Sequence, residues 1–553
     1  MADQPSELLM NRSTMLEQLR GRARPWDVII VGGGATGLGA AIDAASRGYA
    51  TLLVEQSDFA KGTSSRSTKL VHGGVRYLRQ GQVGLVLSAL RERGLMRRNA
   101  PHLVRSQPFV VPCYSRWSRL YYTVGLKTYD LLAGRLGFGR SRRLSARATV
   151  DMLPTIQQAG LRGGVLYHDG QFDDARLAVN LAQTAAGHGA CVLNYMKMTG
   201  LMHEPDDTQI IERRERSGVV VNWTDVTRRV TGVELEDLET GERHTAAGRV
   251  VINATGVYAD AIRRMDDSHA KDIIRPSQGA HIVLDRSFLP GDAAVMVPKT
   301  DDGRVLFAIP WQGVVVVGTT DIAVRETPLE PRPIEAELEF LLEHAGRYLV
   351  RAPRREDVLS VFAGLRPLVV DASAAAGATA RISRDHALHV SPAGLVTIAG
   401  GKWTTYRKMA QDVVDRAAAV GDLDARPCVT RGLRIHGGSN TGATPDDAAL
   451  GQYGSDAPAV ASLCQSEPRY GQLIHRALPY RAGQVVWAVR HEMARTVEDV
   501  LARRTRALVL SARASIEAGP YVARLMAGEL GRDEAWQREQ VAAYEQIARR
   551  YVW

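Results

Sequence analysis

Cysteine is scarce in this sequence of 553 residues, and the spacing of the few present excludes several kinds of site. Cys113, Cys191, Cys428 and Cys464 are far apart and form no C-x-x-C pair. A disulfide framework, a zinc ribbon and an iron–sulfur cluster are therefore not expected. We predict no metal site and an intracellular, reducing environment.

Long apolar runs are also missing. No segment approaches the roughly 20 apolar residues that a membrane-spanning helix needs. The N-terminus carries Asp3, Glu7 and Glu17 without an apolar core, unlike a secretory signal. A hydrophobic fraction of 45% and a charged fraction of 24% are ordinary for a soluble protein of two or three domains.

Charge of neither sign dominates, although basic residues are in excess. Seventy Lys and Arg against 60 Asp and Glu give a formal net charge of +10. Such an excess suits a nucleic acid, an anionic membrane surface or an anionic substrate, and it does not choose among them.

A glycine-rich turn near the N-terminus is the strongest local signal. The apolar run Asp27–Ile30 leads into Val31–Gly37, where Gly32, Gly34 and Gly37 fit the pattern G-x-G-x-x-G, and a helix of small residues follows. A second apolar run, Ala50–Val54, ends in Glu55. Strand, glycines, helix and terminal acid together predict a dinucleotide site, with the pyrophosphate at the helix N-terminus and Glu55 on a ribose hydroxyl.

Later segments predict further architecture. The first twenty or so residues are interpreted as a loosely held lead-in, and residues 58–78 as a loop around a ligand. Strands are predicted at Gly218–Trp223 and Val230–Leu235, and a buried parallel strand at Val250–Gly256. A strand that returns after so long an insertion predicts a discontinuous dinucleotide domain.

The remaining pattern predicts an antiparallel sheet and then helices. Residues 279–321 contain short apolar strands around the turn Asp301–Gly303. After about residue 430, apolar residues recur every four positions, which predicts an amphipathic helix or helix pair. These residues are Val485, Val489, Met493, Val497 and Leu501.

The order of motifs from about residue 25 to 410 resembles the membrane-associated, FAD-dependent glycerol-3-phosphate dehydrogenases, within the wider D-amino-acid-oxidase-like flavoproteins. The segments that carry the resemblance are the glycine turn with Glu55, Thr63–Ser65, Lys69–Leu78, Asn253–Gly256, Gly318–Asp321, Gly364–Leu368, Ser383–Asp385 and Gly400–Arg407. Thr496–Arg504 is similar to the family's helical C-terminal domain.

The resemblance implies an α/β fold in three parts. A discontinuous Rossmann-type FAD-binding domain would comprise residues 24–106, 170–270 and 360–425. An antiparallel-sheet substrate domain, like that of D-amino-acid oxidase, would comprise residues 107–169 and 271–359. A helical C-terminal domain would comprise residues 426–553.

FAD is the cofactor that the resemblance implies. The residues expected to bind it are Gly32, Gly34, Ala35, Thr36, Gly37, Glu55, Gln56, Thr63, Ser64, Ser65, Lys69, Leu70, His72, Gly73, Gly74, Ala254, Thr255, Gly256, Arg366, Gly400, Gly401, Lys402 and Thr404. FAD accepts hydride, and positive charge near its pyrimidine edge stabilises the reduced, anionic ring.

The implied substrate is sn-glycerol 3-phosphate, whose phosphate dianion suits guanidinium groups. The residues expected to bind it are Arg76, Tyr77, His281, Arg366, Arg384 and Lys402. The catalytic set is expected to be His281, His72 and Arg366. His281 is the first choice for the base and His72 the second, because a histidine pKa near 6.5 suits proton removal at neutral pH.

A membrane quinone is the implied electron acceptor, which places the protein in the cytoplasm, attached peripherally to the inner face of the cell membrane. Tyr114–Lys127 interleaves aromatic and basic side chains, a composition that suits the lipid headgroup layer of an anionic membrane surface. An ordinary helix that packs Trp117 and Tyr121 inward explains the pattern equally well. The oligomeric state stays open, with a homodimer as one candidate assembly.

Alternatives remain on the same scaffold. A glycerol-3-phosphate oxidase would reduce oxygen instead of a quinone, and an amine or hydroxy-acid oxidase would bind a carboxylate or amine. An FAD-dependent RNA-modifying enzyme would need a clustered basic stripe and a catalytic thiol, and the cysteines lie outside every flavin motif. No nucleic-acid partner is therefore expected. A non-catalytic nucleotide-binding protein leaves the loop Lys69–Tyr77 and the arginines unexplained.

Overall fold

The computed structural model describes residues 10–74, 78, 81–204, 228–298, 300–301, 303–370, 386–439 and 449–553. Its strands are β1 (Trp26–Val31), β2 (Thr51–Val54), β3 (Leu70–Val71), β4 (Val104–Cys113), β5 (Arg142–Leu144), β6 (Gly163–Phe172), β7 (Cys191–Leu193), β8 (Met196–Glu204), β9 (Arg229–Asp237), β10 (Arg243–Asn253), β11 (Ile274–Asp285), β12 (Ala294–Val297), β13 (Leu306–Trp311), β14 (Val314–Gly318), β15 (Ile322–Ala323), β16 (Val358–Val369), β17 (His386–Val390) and β18 (Val396–Gly400).

The helices lie between and after these strands. They are α1 (Arg12–Arg20), α2 (Ala35–Ser46), α3 (Val83–Asn99), α4 (Arg116–Ala133), α5 (Ala146–Met152), α6 (Asp174–Gly187), α7 (Ala259–Asp266), α8 (Glu335–Tyr348), α9 (Tyr406–Val420), α10 (Ala457–Ser466), α11 (Pro468–Gly471), α12 (Ala482–His491), α13 (Ala507–Leu510), α14 (Ala512–Leu530) and α15 (Glu534–Ala548).

A parallel sheet carries the glycine turn. Its parallel strands run β18–β10–β1–β2–β7, and β17 pairs antiparallel with β18 at one edge. Val28, Ile29 and Ile30 of β1 are fully buried because helices cover the sheet. Distant parts of the chain therefore form one sheet, which confirms the predicted discontinuous Rossmann-type domain.

The helix after the glycine turn is built of small residues because another helix crosses it closely. A Cβ added to Gly39 of α2 would lie 2.9 Å from the ring of Tyr406, at the start of α9. Close packing of α2 between the sheet and α9 fixes the glycine turn beside β10, and this places the turn at the carboxyl ends of β1 and β10.

A second, largely antiparallel sheet lies beside the first. Its strands run β15–β11–β14–β13–β12–β4–β6–β3, with β16 paired to β11 and β5 to β6. In β11, Ile282 and Leu284 pack in the cluster under α8, whereas Val283 packs with the C-terminal helices. Strand β16 belongs to this sheet, although its residues from 360 onward were assigned to the FAD-binding domain; the exact domain boundaries stay predictions.

The C-terminal helices are joined to the glycine-turn domain by buried charges. The carboxylate of Asp58 accepts hydrogen bonds from Arg503 and Arg504, and all three side chains are almost fully buried. Burial alone would raise the pKa of Asp58, but Arg504 and Arg503 outweigh it and hold that pKa below its ordinary value. The pairing links the loop after β2 to the C-terminal helices.

Three predicted segments differ in how they stand against the fold: the N-terminal lead-in, the strand at Gly218–Trp223 and the apolar repeat. The interpretation of the first twenty residues as loosely held is wrong for α1, since Met15, Leu16 and Leu19 are buried and Arg12 binds Asp237 through two hydrogen bonds of 2.9 and 3.1 Å. The strand predicted at Gly218–Trp223 lies outside the described residues. Of the four-residue apolar repeat, Val485 and Val489 lie in α12 and Leu501 in a short turn of helix, Asp499–Arg504, whereas Met493 and Val497 lie between these two elements.

In the part of the chain that the structure describes, no helix combines the length and apolar character needed to cross a bilayer.

Candidate functional site

The glycine turn has a geometry that only glycine fits. Gly32 has φ of +112°, and a Cβ added there would lie 2.7 Å from the carbonyl oxygen of Ala254. A Cβ on Gly37 would lie 1.9 Å from the carbonyl oxygen of Gly32. The turn, the start of α2 and the end of β10 are therefore in direct contact, and together they form a cradle of backbone for a pyrophosphate.

Glu55 directly follows β2 and lies beside this cradle. Its Oε2 accepts a hydrogen bond of 2.7 Å from the backbone N–H of Gly33, and its Oε1 accepts one of 2.9 Å from Ser57. Burial raises the pKa of Glu55, and the two backbone donors oppose that effect. The carboxylate is fixed where an acceptor for a ribose hydroxyl is expected.

A cavity of about 220 Å³ lies over the turn. The predicted cofactor residues that line it are Gly32, Gly34, Ala35, Thr36, Glu55, Gln56, Thr63, Ser64, Ala254, Thr255, Gly256, Gly400, Gly401 and Lys402. Ser64 Oγ also accepts a hydrogen bond of 2.9 Å from the N–H of Ala35 at the start of α2. Of these, Gly32, Gly34, Ala35, Thr36 and Glu55 are the residues expected at the adenosine and pyrophosphate part of FAD.

A second cavity of about 790 Å³ continues from the first. The two share Thr63, Leu365 and Gly400–Trp403. Of the predicted residues, Leu70, His72, Gly74, His281, Arg366 and Thr404 line the larger cavity. The structure therefore brings the predicted nucleotide and substrate residues to two adjoining cavities.

Hydrogen bonds tie the loop after α2 and β2 to the strands on either side of this space. Thr63 Oγ1 donates to the carbonyl of Leu365 at 2.6 Å, and Trp403 Nε1 donates to the carbonyl of Ser64 at 2.9 Å. The N–H of His72 donates to Thr404 Oγ1 at 3.3 Å. The loop that was interpreted as surrounding a ligand is thus the common wall of both cavities.

Arg366 lies on β16 in the larger cavity. Its Nη1 is 2.9 Å from Asp321 Oδ1, and its Nη2 donates to Thr319 Oγ1 and to the Thr320 carbonyl, each at 3.1 Å. The side chain is 29% exposed. The guanidinium is therefore held flat against the Gly318–Asp321 segment while part of it faces the cavity.

His281 lies on β11 between two neighbouring strands, where it faces Gly318 of β14 and Phe362 of β16. Its ring is stacked on Phe362 with the centroids 4.5 Å apart. Burial, and then the charges of Lys69 and Arg366, lower its pKa well below the ordinary histidine value. The imidazole is neutral at physiological pH.

Some predicted site residues do not line either cavity. Lys69 is fully buried, and its Nζ donates to both oxygens of Asp174 at 2.7 and 3.0 Å. Gly73 is buried, and its N–H donates to Tyr129 Oη at 2.7 Å. Ser65 belongs to the loop and Gly37 to the glycine turn, and neither lines a cavity. Arg76, Tyr77 and Arg384 lie outside the described residues.

Sequence reasoning missed two features of this space. One is Asp321, which holds Arg366 and was noted only as part of a motif. The other is an apolar wall of the larger cavity, formed by Phe109, Tyr122, Leu126, Tyr167, Met296 and Phe307. No local pattern could reveal this wall, because four separate strands and one helix contribute to it.

Comparison with known proteins defines the class. Residues 27–407 match the family described as FAD dependent oxidoreductase, and residues 396–537 match the family described as the C-terminal domain of alpha-glycerophosphate oxidase. The protein is therefore a flavoprotein oxidoreductase with FAD as its cofactor and a helical C-terminal domain.

Whole-chain relatives make the assignment narrower. The chain is 40% identical to a mitochondrial glycerol-3-phosphate dehydrogenase of Arabidopsis thaliana, over 94% of this chain and 85% of that protein. It is 38% identical to the human mitochondrial glycerol-3-phosphate dehydrogenase, over 96% of this chain and 73% of that protein. The chain belongs to the glycerol-3-phosphate dehydrogenase family of FAD-dependent oxidoreductases, which confirms the resemblance found in its motifs.

A solved structure supports the same assignment. The glycerol-3-phosphate dehydrogenase from Bacillus halodurans complexed with FAD superimposes with a TM-score of 0.75 at 29% identity, over 98% of both chains. The α/β fold with its antiparallel-sheet domain is thus confirmed as well.

Proposed function

We propose that this protein oxidises sn-glycerol 3-phosphate to dihydroxyacetone phosphate where its two cavities join. One observation supports this most directly: His281, Arg366 and Lys402 line one cavity, which adjoins the cavity over the glycine turn. Bound FAD would supply the hydride acceptor. Family membership favours the phosphorylated triol over the substrates of the amine and hydroxy-acid oxidases.

In this proposal the protein's own residues orient a small dianion. Arg366 offers a planar, permanently charged fork to the phosphate, and Asp321 and Thr319 keep the fork from turning. Lys402 adds a second cation on the shared wall, and Arg76, Tyr77 and Arg384 complete the proposed set. The hydroxyl proton needs an acceptor, for which His281 and His72 are the histidines that line the cavity.

Anaerobic titration of the purified yellow protein tests this function. Addition of sn-glycerol 3-phosphate is expected to bleach the flavin band, whereas unphosphorylated glycerol and D-amino acids leave it unchanged. Bleaching by a D-amino acid, or none by the phosphorylated compound, would contradict the proposal. A preparation that cannot be reconstituted with FAD would contradict it at an earlier step.

We further propose that the electrons pass to a membrane quinone. The apolar wall of the larger cavity carries no cationic side chain for a phosphate, and it suits a quinone ring and its isoprenoid chain. Helix α4 supplies part of this wall through Tyr122 and Leu126 and continues to the protein surface. A lipid-soluble acceptor could thus reach the flavin end along an apolar path.

Gly125 offers a way to test the acceptor separately from the substrate. It lies on α4 and lines the larger cavity, and a Cβ added there would meet no described atom within 4 Å. Gly125→Leu is therefore expected to fold and to fill part of the apolar space. Quinone reduction should fall several-fold while anaerobic flavin bleaching by substrate keeps its rate.

The matched control for this variant is Gly84→Leu. Gly84 lies on α3 with equally open surroundings among the described atoms, and it does not line the cavity. A fall of both rates in Gly125→Leu, or of neither, would argue against the quinone path. If oxygen is consumed faster than quinone by the unmodified protein, the chain is a glycerol-3-phosphate oxidase instead.

Peripheral attachment to an anionic membrane is the third part of the proposal. The side chains of Trp117, Leu120, Tyr121, Val124 and Leu131 form an exposed apolar stripe on α4. Exposed Arg116 and Lys127 flank it. Such a helix can lie in the headgroup layer, with the apolar side chains inserted and the cations on anionic lipid. The inner face of the cell membrane is the proposed location.

A further inference from the structure

His281 is almost closed off from the cavity that it lines. Its side chain is only 2% exposed, and a Cβ on neighbouring Gly318 would lie 2.2 Å from its Cδ2. With Phe362 stacked on the ring, the imidazole has no room to turn. Its Nδ1 is buried and has no hydrogen-bond partner among the residues that the structure describes.

Thr68 is the polar group that meets the other ring nitrogen. Its Oγ1 lies 2.9 Å from His281 Nε2, and Thr68 is itself partly exposed on the cavity wall. The threonine hydroxyl therefore stands between the imidazole and the cavity.

The unpartnered Nδ1 decides which way this hydrogen bond runs. A buried N–H without an acceptor is rarer in proteins than an acceptor without a donor. Nδ1 is therefore the nitrogen without a proton, and Nε2–H donates to Thr68 Oγ1. The lowered pKa of His281, caused by burial, Lys69 and Arg366 and opposed by Asp174, is consistent with a neutral ring. The hydrogen of the threonine hydroxyl then points away from His281.

The residues on both sides of Thr68 are fixed by buried charge. Ser67 donates from its backbone N–H and its Oγ to Asp174 Oδ2, at 3.0 and 2.7 Å. Lys69 donates to the same carboxylate, and Arg506 donates to the carbonyl of Ser65 at 2.9 Å. The position of the Thr68 hydroxyl is thus set through Asp174, Lys69 and Arg506, three buried groups that do not line the cavity.

We propose that the Thr68 hydroxyl is the hydrogen-bond donor that contacts the reacting oxygen of the substrate, and that His281 is a positioning residue that acts through it. This inference rests on the proposed function, because the reacting oxygen is that of the substrate's secondary alcohol. It changes the role expected for His281 from base to orienting group. His72 is then the other histidine on this wall and the one proposed to receive the proton.

The test uses the FAD-bound protein and compares, by the rate of anaerobic flavin reduction, five single variants and the double variant Thr68→Val with His281→Ala. Thr68→Val removes the hydroxyl, and Thr68→Ser keeps it. His281→Ala removes the donor, whereas the amide N–H of His281→Gln can replace Nε2–H but cannot take up a proton. Thr149→Val is the matched control, since Thr149 is buried on α5 and does not line the cavity.

We expect Thr68→Val and His281→Ala each to slow flavin reduction about tenfold or more, because the first removes the hydrogen bond to the reacting oxygen and the second leaves the hydroxyl that donates it without its orienting partner. The double variant should be no slower than either, since both remove one contact. Thr68→Ser and His281→Gln should recover most of the rate. Thr149→Val should leave it unchanged, and flavin content should stay at the unmodified level throughout.

Two results would overturn the inference. If His281→Gln is as slow as His281→Ala, the imidazole itself takes the proton. If Thr68→Val reduces its flavin as fast as the unmodified protein, the hydroxyl does not contact the reacting oxygen. Failure of the unmodified protein to bleach with sn-glycerol 3-phosphate would instead refute the proposed function. If Thr68→Val does not fold, the comparison of His281→Gln with His281→Ala still tests the inference.

Discussion

Arg366 Nη1 lies 2.9 Å from Asp321 Oδ1, and this contact sets the direction of a cation on the wall of the larger cavity. The orientation of the Arg366 side chain and its charge can therefore be changed separately by substitution. Lysine keeps the charge of Arg366 but loses the planar fork that binds Asp321 and Thr319 and that we propose also binds the substrate phosphate.

Arg366→Lys is expected to raise the KM for sn-glycerol 3-phosphate by about tenfold or more, since hydrogen bonds to charged groups contribute roughly 1.5–3 kcal/mol. Steady-state kinetics with the purified variant would measure this. Arg347→Lys, on an exposed turn of α8, is the control and should leave KM unchanged. An unchanged KM in Arg366→Lys would remove Arg366 from the substrate site.

Gly37→Ala is expected to abolish FAD binding. The new Cβ would lie 1.9 Å from the carbonyl oxygen of Gly32, so the turn and α2 must separate. The ratio of flavin to protein absorbance measures the effect. Gly528→Ala is the control, because Gly528 lies in α14 where no described atom comes within 4 Å of an added Cβ, and it should be neutral or slightly stabilising. Full flavin content in Gly37→Ala would contradict the assigned turn.

Replacing Trp117 and Val124 with Gln should weaken binding to vesicles of phosphatidylglycerol and phosphatidylcholine. These side chains are 81% and 58% exposed in the stripe on α4. In the proposed complex both apolar side chains would be buried in the membrane. Without the free energy of that burial, the bound fraction in a sedimentation assay should fall by about tenfold. Val350→Gln removes an equally exposed apolar side chain elsewhere and should have no effect. Equal binding by all three proteins would exclude α4 as the attachment surface.

His102 is expected to make stability depend on pH in the acid range. Burial, with smaller effects from His436 and Arg176, lowers its pKa to about 4, and Asn180 and Asp456 oppose the shift. Between about pH 4 and pH 6.5 the unfolded chain binds more protons at this site than the folded one, so stability falls as pH falls. The midpoint of thermal unfolding of His102→Asn should therefore fall less between pH 7 and pH 5 than that of the unmodified protein. A parallel loss in both proteins would contradict the shift.

The glycine turn illustrates what local sequence can predict. Gly32, Gly37 and Glu55 act through neighbours within one β–α–β unit, so their spacing alone predicts their geometry. The role of Thr68 depends on His281, which lies 213 positions away, and on the tautomer that its surroundings impose. Spacing carries no information about such a contact.

Lys69 shows that a motif can also suggest a contact that the side chain does not make. A lysine within a motif that is expected to surround a flavin is naturally assigned to the flavin, but the structure turns it inward to Asp174. Burial of that pair depends on Arg506, more than 400 residues later. The tertiary partner, and not the motif, decides what the side chain contacts.

The buried pairing of Asp58 with Arg503 and Arg504 limits how this protein can be divided. A fragment ending near residue 425 would lack both guanidiniums that neutralise the Asp58 carboxylate, and removing one partner of a buried ion pair typically costs about 3–5 kcal/mol. The flavin-binding half is thus no independent module for transplantation, and a chimera between relatives must exchange that aspartate and both arginines together.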